Sequence, residues 1–526
     1  MKQLLIFILL SQCYFAQCQQ IEWSDQYDLS GYKEMITVRD DNVYIKTWKK
    51  AKLFQSRRTY EITKLDQNLK PIASTIVDDL EESLYYDLGT VAAEEGILHL
   101  YYQRTKDDRH YISGQIYSYD NLGKKDIVDL ATFDAYGRRS QEVATISFIE
   151  NWHPIDFRLS RDRSKLLLMS REQMVGRDNL TMYQYKVFDL TGRIGSIQEG
   201  SFYTDDHSKR YDMIDVDLSN NGDINLLLKR YKETNAKEFI DRKPSYTYEA
   251  HHITGDSTEY IYDIQVKKEF IDNLKIGGED GEVYIAGYLR KKPGRKIHGL
   301  YFFALDPLGN VINEERINYR PREIKDMQGK EKKELNASFR VVDVIVADQI
   351  TYVVKQYINQ NQNYTQQIGP GVQRFGSNNR IYSTDFDLEE VVVEAYDRNS
   401  GEYIWTAVNK RRQKELQSEI QGHYKHSVHL QGNELYLLYN ETPDNIDRLR
   451  KREKLKRTTV SNTNTEPLLA RISPDGKISY RSTTNDRRFH INDRSAILMS
   501  DGLYMLSLKS NYSRYKVGKA DLSILE

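Results

Sequence analysis

Val391-Val392-Val393-Glu394-Ala395-Tyr396, then Asp397-Arg398-Asn399-Ser400-Gly401, then Tyr403-Ile404-Trp405-Thr406-Ala407-Val408 spell an apolar strand, a tight turn and a returning strand. β-branched and aromatic side chains suit a pleated, half-buried surface, while Asp, Asn, Ser and Gly supply turn chemistry. After a polar link, Gln431-Gly432-Asn433 turns into a further strand, Glu434 to Tyr439. Working outward, the same unit recurs. Short strands with apolar residues two apart begin at Val43, Leu98, Leu166, Ile224, Val283, Ile350, Leu435 and Leu503. Good hairpin pairs lead into most of them, among them Glu95-Gly96, Asn221-Gly222, Asp280-Gly281, Gly432-Asn433 and Asp501-Gly502.

The spacing of about 55 to 85 residues is the scale of a four-stranded propeller blade with variable loops. The expectation is an all-β fold: a single β-propeller of eight four-stranded blades, with seven as the alternative count. The last unit stops after three strands (Ser495–Met499, Leu503–Leu508, Tyr512–Ala520). Ile21 to Tyr27 is the obvious donor of its missing outer strand, because a closed propeller leaves no unpaired edge.

Composition narrows the class. The 76 basic and 77 acidic residues nearly cancel, which argues against a general nucleic-acid or anionic-membrane binder. Aromatics at 11%, including 39 Tyr, mark a folding chain. Residues 1–18 read as a signal peptide: Lys2 precedes the short apolar run Leu4 to Leu10, and cleavage is expected between Ala16 and Gln19. That run is too short to anchor in a bilayer. A lipoprotein is the second reading, since Leu10-Ser11-Gln12-Cys13 and Phe15-Ala16-Gln17-Cys18 both end in Cys, but each has Gln where a small residue is wanted. With Cys13 and Cys18 the only cysteines, residues 19–526 are expected to fold without disulfides, thiol chemistry or Cys-based metal sites.

The loops divide unevenly. A–B and C–D turns are short, whereas the B–C and D–A connections carry the long segments: 132–154, and insertions at 320–337, 360–387 and 441–466. The segment 320–337 is charged enough for a short exposed helix, and Arg448 to Arg457 is a basic run best read as solvated. Long loops gathered on one face of a rigid scaffold are where function usually sits.

Chemical motifs are sparse. Ala395, Asp397, Gly401 and Trp405 match the blade signature of pyrroloquinoline-quinone propellers, but it occurs once and reads as a turn with a packed Trp. Ser473-Pro474-Asp475-Gly476-Lys477 is similar to a sialidase aspartate box without its Thr-Trp, so it reads as a C–D turn. On a strand His423 and His429 point away from His426, and His251 away from His252, which disfavours metal ligation. Asp215, Asp217, Asn220, Asn221 and Asp223 are the place for Ca²⁺ if there is one, yet they lack the spacing and terminal Glu of a calcium loop. No cofactor is therefore expected. No Gly-x-Ser-x-Gly elbow supports a serine peptidase.

Through its apolar strand, the Asp397–Gly401 turn, Trp405, Lys410, Gln413, Tyr439-Asn440 and Asn445, the segment 390–445 resembles exported β-propeller-like proteins of Bacteroidota whose function is unknown. The resemblance implies a bacterial envelope setting, periplasmic or secreted, and carries no known catalytic residue. Two readings of function follow. The first is an exported non-catalytic propeller binding a protein or cell-envelope partner through its long-loop face, with Trp152, His153, Lys410, Gln413, Tyr439 and Asn440 on or near that face. The alternative is a carbohydrate-binding or carbohydrate-active propeller using acids and aromatic rings at the mouth of the central channel.

Overall fold

Six of the eight blades are held at the C–D corner by one local device. Asp66, Ser118, Thr254, Asp306, Asp397 and Ser473 each donate a backbone N–H across the turn, to the carbonyls of Lys70, Gly123, Thr258, Asn310, Glu402 and Lys477. Side-chain oxygens then occupy N–H groups inside the loop. Asp306 Oδ1 accepts from Leu308 N (2.9 Å) and Asn310 N (2.7 Å), and Asp397 Oδ1 from Asn399 N (3.1 Å) and Ser400 N (2.8 Å). This is why short polar residues recur at these corners: they offer the backbone hydrogen bonds that the ladder no longer provides. Gly401 takes φ +68°, and Ala395 pairs with Trp405, whose ring lies 5.9 Å from that of Tyr352. The single signature motif is thus a braced turn.

In the computed structural model the chain is an all-β propeller of eight four-stranded antiparallel blades with few helices. The structure describes residues 22–23, 27–28, 33–48, 60–77, 85–104, 109–134, 155–173, 181–203, 211–232, 238–266, 269–328, 332–365, 381–416, 427–450, 454–456, 458–459, 465–482, 489–499, 502–509 and 514–522. The expected signal peptide lies outside them.

Two compact units are described in turn. One holds blades 2 to 6, with first strands (A) at Tyr85–Ala93, Ile155–Leu159, Tyr211–Leu218, Phe270–Glu279 and Phe339–Val346. Their outer strands (D) are Lys124–Asp134, Gly195–Tyr203, Glu259–Ile264, Val311–Asn318 and Tyr403–Asn409. Middle strands are more buried than outer ones: every residue of Ile297–Leu305 is buried, whereas Glu259–Ile264 alternates exposed and half-buried up to a buried Ile264. That gradient is what radial stacking of sheets demands. Gly277 permits the close approach of two first strands, since a Cβ there would sit 2.3 Å from the Val344 carbonyl oxygen.

The other unit holds blade 1 (Lys33–Arg39, Asn42–Trp48, Tyr60–Leu65, Pro71–Val77), blade 7 (Ser427–Gln431, Glu434–Glu441, Glu466–Ile472, Ile478–Ser482) and blade 8. Blade 8 has Phe489–Met499, Gly502–Lys509 and Arg514–Ala520 from the C-terminal end. Its fourth strand is N-terminal: Glu22 pairs with Lys519, Trp23 with Gly518, Tyr27 with Tyr515 and Asp28 with Arg514. The closure expected from sequence is present, and the count is eight.

Because strands alternate in direction, A–B and C–D turns leave one end of each blade, and B–C and D–A connections the other. The helix α1 (Pro321–Gln328) lies in the D–A connection after blade 5. Pro321 occupies its first turn, and Glu323 reaches back to accept the Arg320 N–H at 2.7 Å, one half of a capping box. Sequence charge suggested an exposed helix. One face is exposed (Arg322, Lys325, Asp326), while Ile324 and Met327, three apart, are buried against Tyr319, Leu335 and Phe339. Helix α2 (Pro443–Arg450) lies in the B–C connection of blade 7.

Candidate functional site

The long-connection end carries built elements. In blade 4 the B–C connection contains a small hairpin, Phe239–Ile240 pairing with Lys243–Pro244 through Asp241 and Arg242, both left-handed (φ 48° and 64°). Its base is clamped. Lys229 Nζ donates to both Glu238 oxygens (2.8 and 2.7 Å), Tyr231 Oη donates to Glu238 (3.1 Å), and Lys229 also sits 3.9 Å from the Tyr246 ring centre. Helix α1 rests over a buried ionic centre: Lys355 Nζ contacts Glu394 and donates to Tyr319 Oη (2.8 Å), while Tyr396 Oη donates to Glu394 (2.9 Å). Burial pushes the Lys355 ammonium down and Glu394 opposes that shift. In the other unit Asn445 ties α2 down, donating to Glu441 Oε1 (2.7 Å) and to the Lys456 carbonyl (2.7 Å).

The short-turn end of blades 3 to 6 has a different character. The first strands converge there on a narrow crevice lined by Arg161, Asp217, Leu218, Gly278, Glu279, Val344 and Val346. Asp217 Oδ2 accepts the Gly278 N–H at 2.9 Å, and Arg161 stands 3.7 Å from Asp343. Burial raises the Asp217 carboxyl to about 6, aided by Asp343 and Asp215 and opposed by Arg161. Burial and then Asp280 raise Glu279 to about 7, and burial also raises Asp343. Paired acids with displaced pKa values in a cleft are a site candidate. They also carry a stability signature. A carboxyl whose folded pKa is raised favours the fold below its unfolded pKa, and that contribution is lost as pH climbs through the folded value. Asp217→Asn should therefore stabilise the protein by about 2 kcal/mol at pH 8 and by almost nothing near pH 4, with Glu279→Gln acting in the same direction but more weakly, since its half-exposed carboxyl is screened by solvent. Urea unfolding at the two pH values measures this. Equal effects at both would mean that the carboxyls stay solvated and ionised.

The residues singled out from sequence are scattered. Trp152 and His153 lie outside the described residues. Lys410 is exposed just after strand D of blade 6, at the long-connection end. Gln413 pairs with Leu388 and, in parallel, with Thr458. Tyr439 and Asn440 are both fully buried. The Arg411 guanidinium lies 4.7 Å from the Tyr439 ring centre, and Asn440 exchanges two 2.8 Å hydrogen bonds with the Ile491 backbone, joining blades 7 and 8. As folded, these two side chains offer bracing rather than an open contact surface. Strand alternation places them near the loops but says nothing about which sheet covers them.

Of the histidines, His423 and His426 lie outside the described residues, and His429 meets Ser427 at 3.1 Å. His251 turns to Glu259 (2.7 Å) and His252 to Asn225 (2.8 Å), on opposite sides as expected. The oxygen-rich Asp215–Asp223 segment disperses: Asp215 meets Lys275 (2.9 Å), Asp217 meets Gly278, and Asp223 meets Gly255 N (3.0 Å). Among the described residues no three His, Cys, Asp or Glu side chains are grouped to hold a metal ion. Sequence reasoning singled out Asp217 only within an oxygen-rich segment and missed its convergence with Glu279 and Asp343, because each sits on a different blade. Their one shared signal is position, at or near the end of a first strand.

No family model matches the chain, and no curated protein matches it. Solved structures do. The polysaccharide lyase Uly1 is 11% identical with a TM-score of 0.36, over 89% of this chain and 90% of that one. The WD40 domain of SCAP from fission yeast is 8% identical with a TM-score of 0.38, over 96% and 100%. A puromycin hydrolase is 11% identical with a TM-score of 0.35, over 91% of this chain and 59% of its own. At these values no function is transferred.

Proposed function

We propose that this protein is an exported, non-catalytic binding propeller that engages a protein or cell-envelope component through its long-connection end. The observation that carries the reading is that the described insertions at that end are rigidly built. The blade 4 hairpin, α1 and α2 each rest on buried, charge-assisted or amide hydrogen bonds. Preformed surface costs less ordering entropy on binding than floppy loops do. The short-turn crevice is narrow, and its described lining holds acids, an arginine and aliphatic groups without an aromatic ring for a sugar to stack on. That favours the binding reading over carbohydrate chemistry.

Site-specific photo-crosslinking in the native cell tests it. A crosslinker at Arg322 or Lys410 should trap an adduct of defined mass. One at the short-turn positions Leu308 or Asn399, also exposed, should trap none. Adducts only from Leu308 and Asn399 would reverse the assignment of the recognition end.

A further inference from the structure

The near-neutral total conceals a local concentration of charge. The B–C turn of blade 5 reads Lys291-Lys292-Pro293-Gly294-Arg295-Lys296, and its four basic residues are exposed. It is a tightly held turn: Arg290, fully buried, donates to the Arg295 carbonyl and meets Asp272 at 2.6 Å, while Ile297 and Leu335 exchange backbone hydrogen bonds (3.0 and 2.7 Å). Those bonds join the turn to the connection bearing α1, where Arg322, Lys325, Lys332 and Lys333 are exposed. On the other side stands the blade 4 hairpin. Phe239 meets Phe270 edge-on at 6.4 Å, and Phe270 pairs with Arg290 at the foot of the basic turn. Phe239 and Ile240 are 52% and 36% exposed beside Arg242 and Lys243.

We propose that this end of blades 4 to 6 is a membrane-contact surface, with the hairpin's Phe239 and Ile240 entering the headgroup region of an anionic bilayer and the blade 5 turn holding its phosphates. The proposal rests on the reading that recognition occurs at the long-connection end, and it names the envelope component. Charge complementarity selects the occupant. Clustered lysines and arginines gain about tenfold in affinity for every one or two placed at an anionic lipid surface. A soluble polyanion would use the cations but leave the phenyl and isobutyl-sized groups in water, whereas a lipid interface takes both. The carboxylates nearby include Asp241, Glu323, Asp326 and Glu334, of which Glu323 lies 3.8 Å from Arg320 and Glu334 3.8 Å from Lys291, and Glu238, Asp272 and Glu269, which meet Lys229, Arg290 and His298.

The test is flotation of the full chain with phosphatidylcholine vesicles with and without phosphatidylglycerol. Binding should require the anionic lipid and weaken in high salt. Replacing Lys292, Arg295 and Lys296 together by Glu should weaken it by about 30-fold or more, and Phe239→Ser with Ile240→Ser by about tenfold. Asp326→Lys, an added cation on exposed α1, should strengthen binding about fivefold, an outcome that misfolding cannot imitate. Equal association with and without phosphatidylglycerol overturns the proposal. Charge-dependent binding indifferent to Phe239 and Ile240, and equally competed by inorganic polyphosphate, assigns the surface to soluble polyanions instead. Absence of vesicle binding with crosslinks at Arg322 intact rejects the lipid alone. Vesicle binding untouched by either variant, with no adduct from Arg322 or Lys410, rejects the long-connection end itself.

Discussion

A chain lacking residues 21–28 should aggregate on expression or melt about 10 °C or more below the complete protein. Among the described residues they supply the only partner of the outer edge of Arg514–Ala520, through the pairs at Glu22, Trp23, Tyr27 and Asp28. Removing them uncovers a strand edge whose N–H and C=O groups are templates for another chain. Loop-closure entropy adds to the cost, because this pairing joins the two ends of the sequence and holds every intervening blade in order. Supplying residues 19–30 as a separate peptide should restore part of the melting temperature. Unchanged melting and solubility in the shortened chain would show that the N-terminal pairing contributes nothing to closure.

The second large effect is expected at Lys355. Its ammonium is fully buried between Glu394 and the Tyr319 hydroxyl, and Tyr396 holds the far carboxylate oxygen. Lys355→Met leaves Glu394 as a buried anion with one hydroxyl donor, and breaking such a pair costs about 3–5 kcal/mol. Replacing both partners, Lys355→Met with Glu394→Leu, should recover most of that loss, because two apolar groups need no desolvation. Since Tyr319 precedes α1 directly and lies in its buried cluster, the single variant should also loosen the helix, detected as faster amide exchange at Ile324 and Met327. A single variant as stable as the parent would mean that the pair is not buried in solution.

Local chemistry was readable wherever a feature depends on neighbours in sequence. The alternating strands, the Asp/Gly corners and a short helix within 320–337 are short-range, and each was legible. The outer strand from Ile21 to Tyr27 was also legible, although its partner is some 490 residues away. A seven-residue apolar-polar pattern beside an incomplete last blade has few other places to go.

What the sequence determined by itself is thus periodicity: an all-β repeat, its closure, and which connections are long, with the choice between eight and seven units left to the structure. Only the tertiary structure decided what those periodic elements face. Tyr439 and Asn440 sit at a loop-bearing strand end like many exposed residues, yet both are fully buried, Tyr439 beneath Arg411 and Asn440 against the Ile491 backbone of the next blade. Asp217, Glu279 and Arg161 stand on three different blades and meet only where first strands converge. Lys229 and Glu238 become a clamp only when a hairpin folds back. The physical reason is common to all three. Strand alternation assigns a side chain to one of two faces, but burial, desolvation and charge pairing arise between sheets, and no spacing within one strand encodes the sheet opposite.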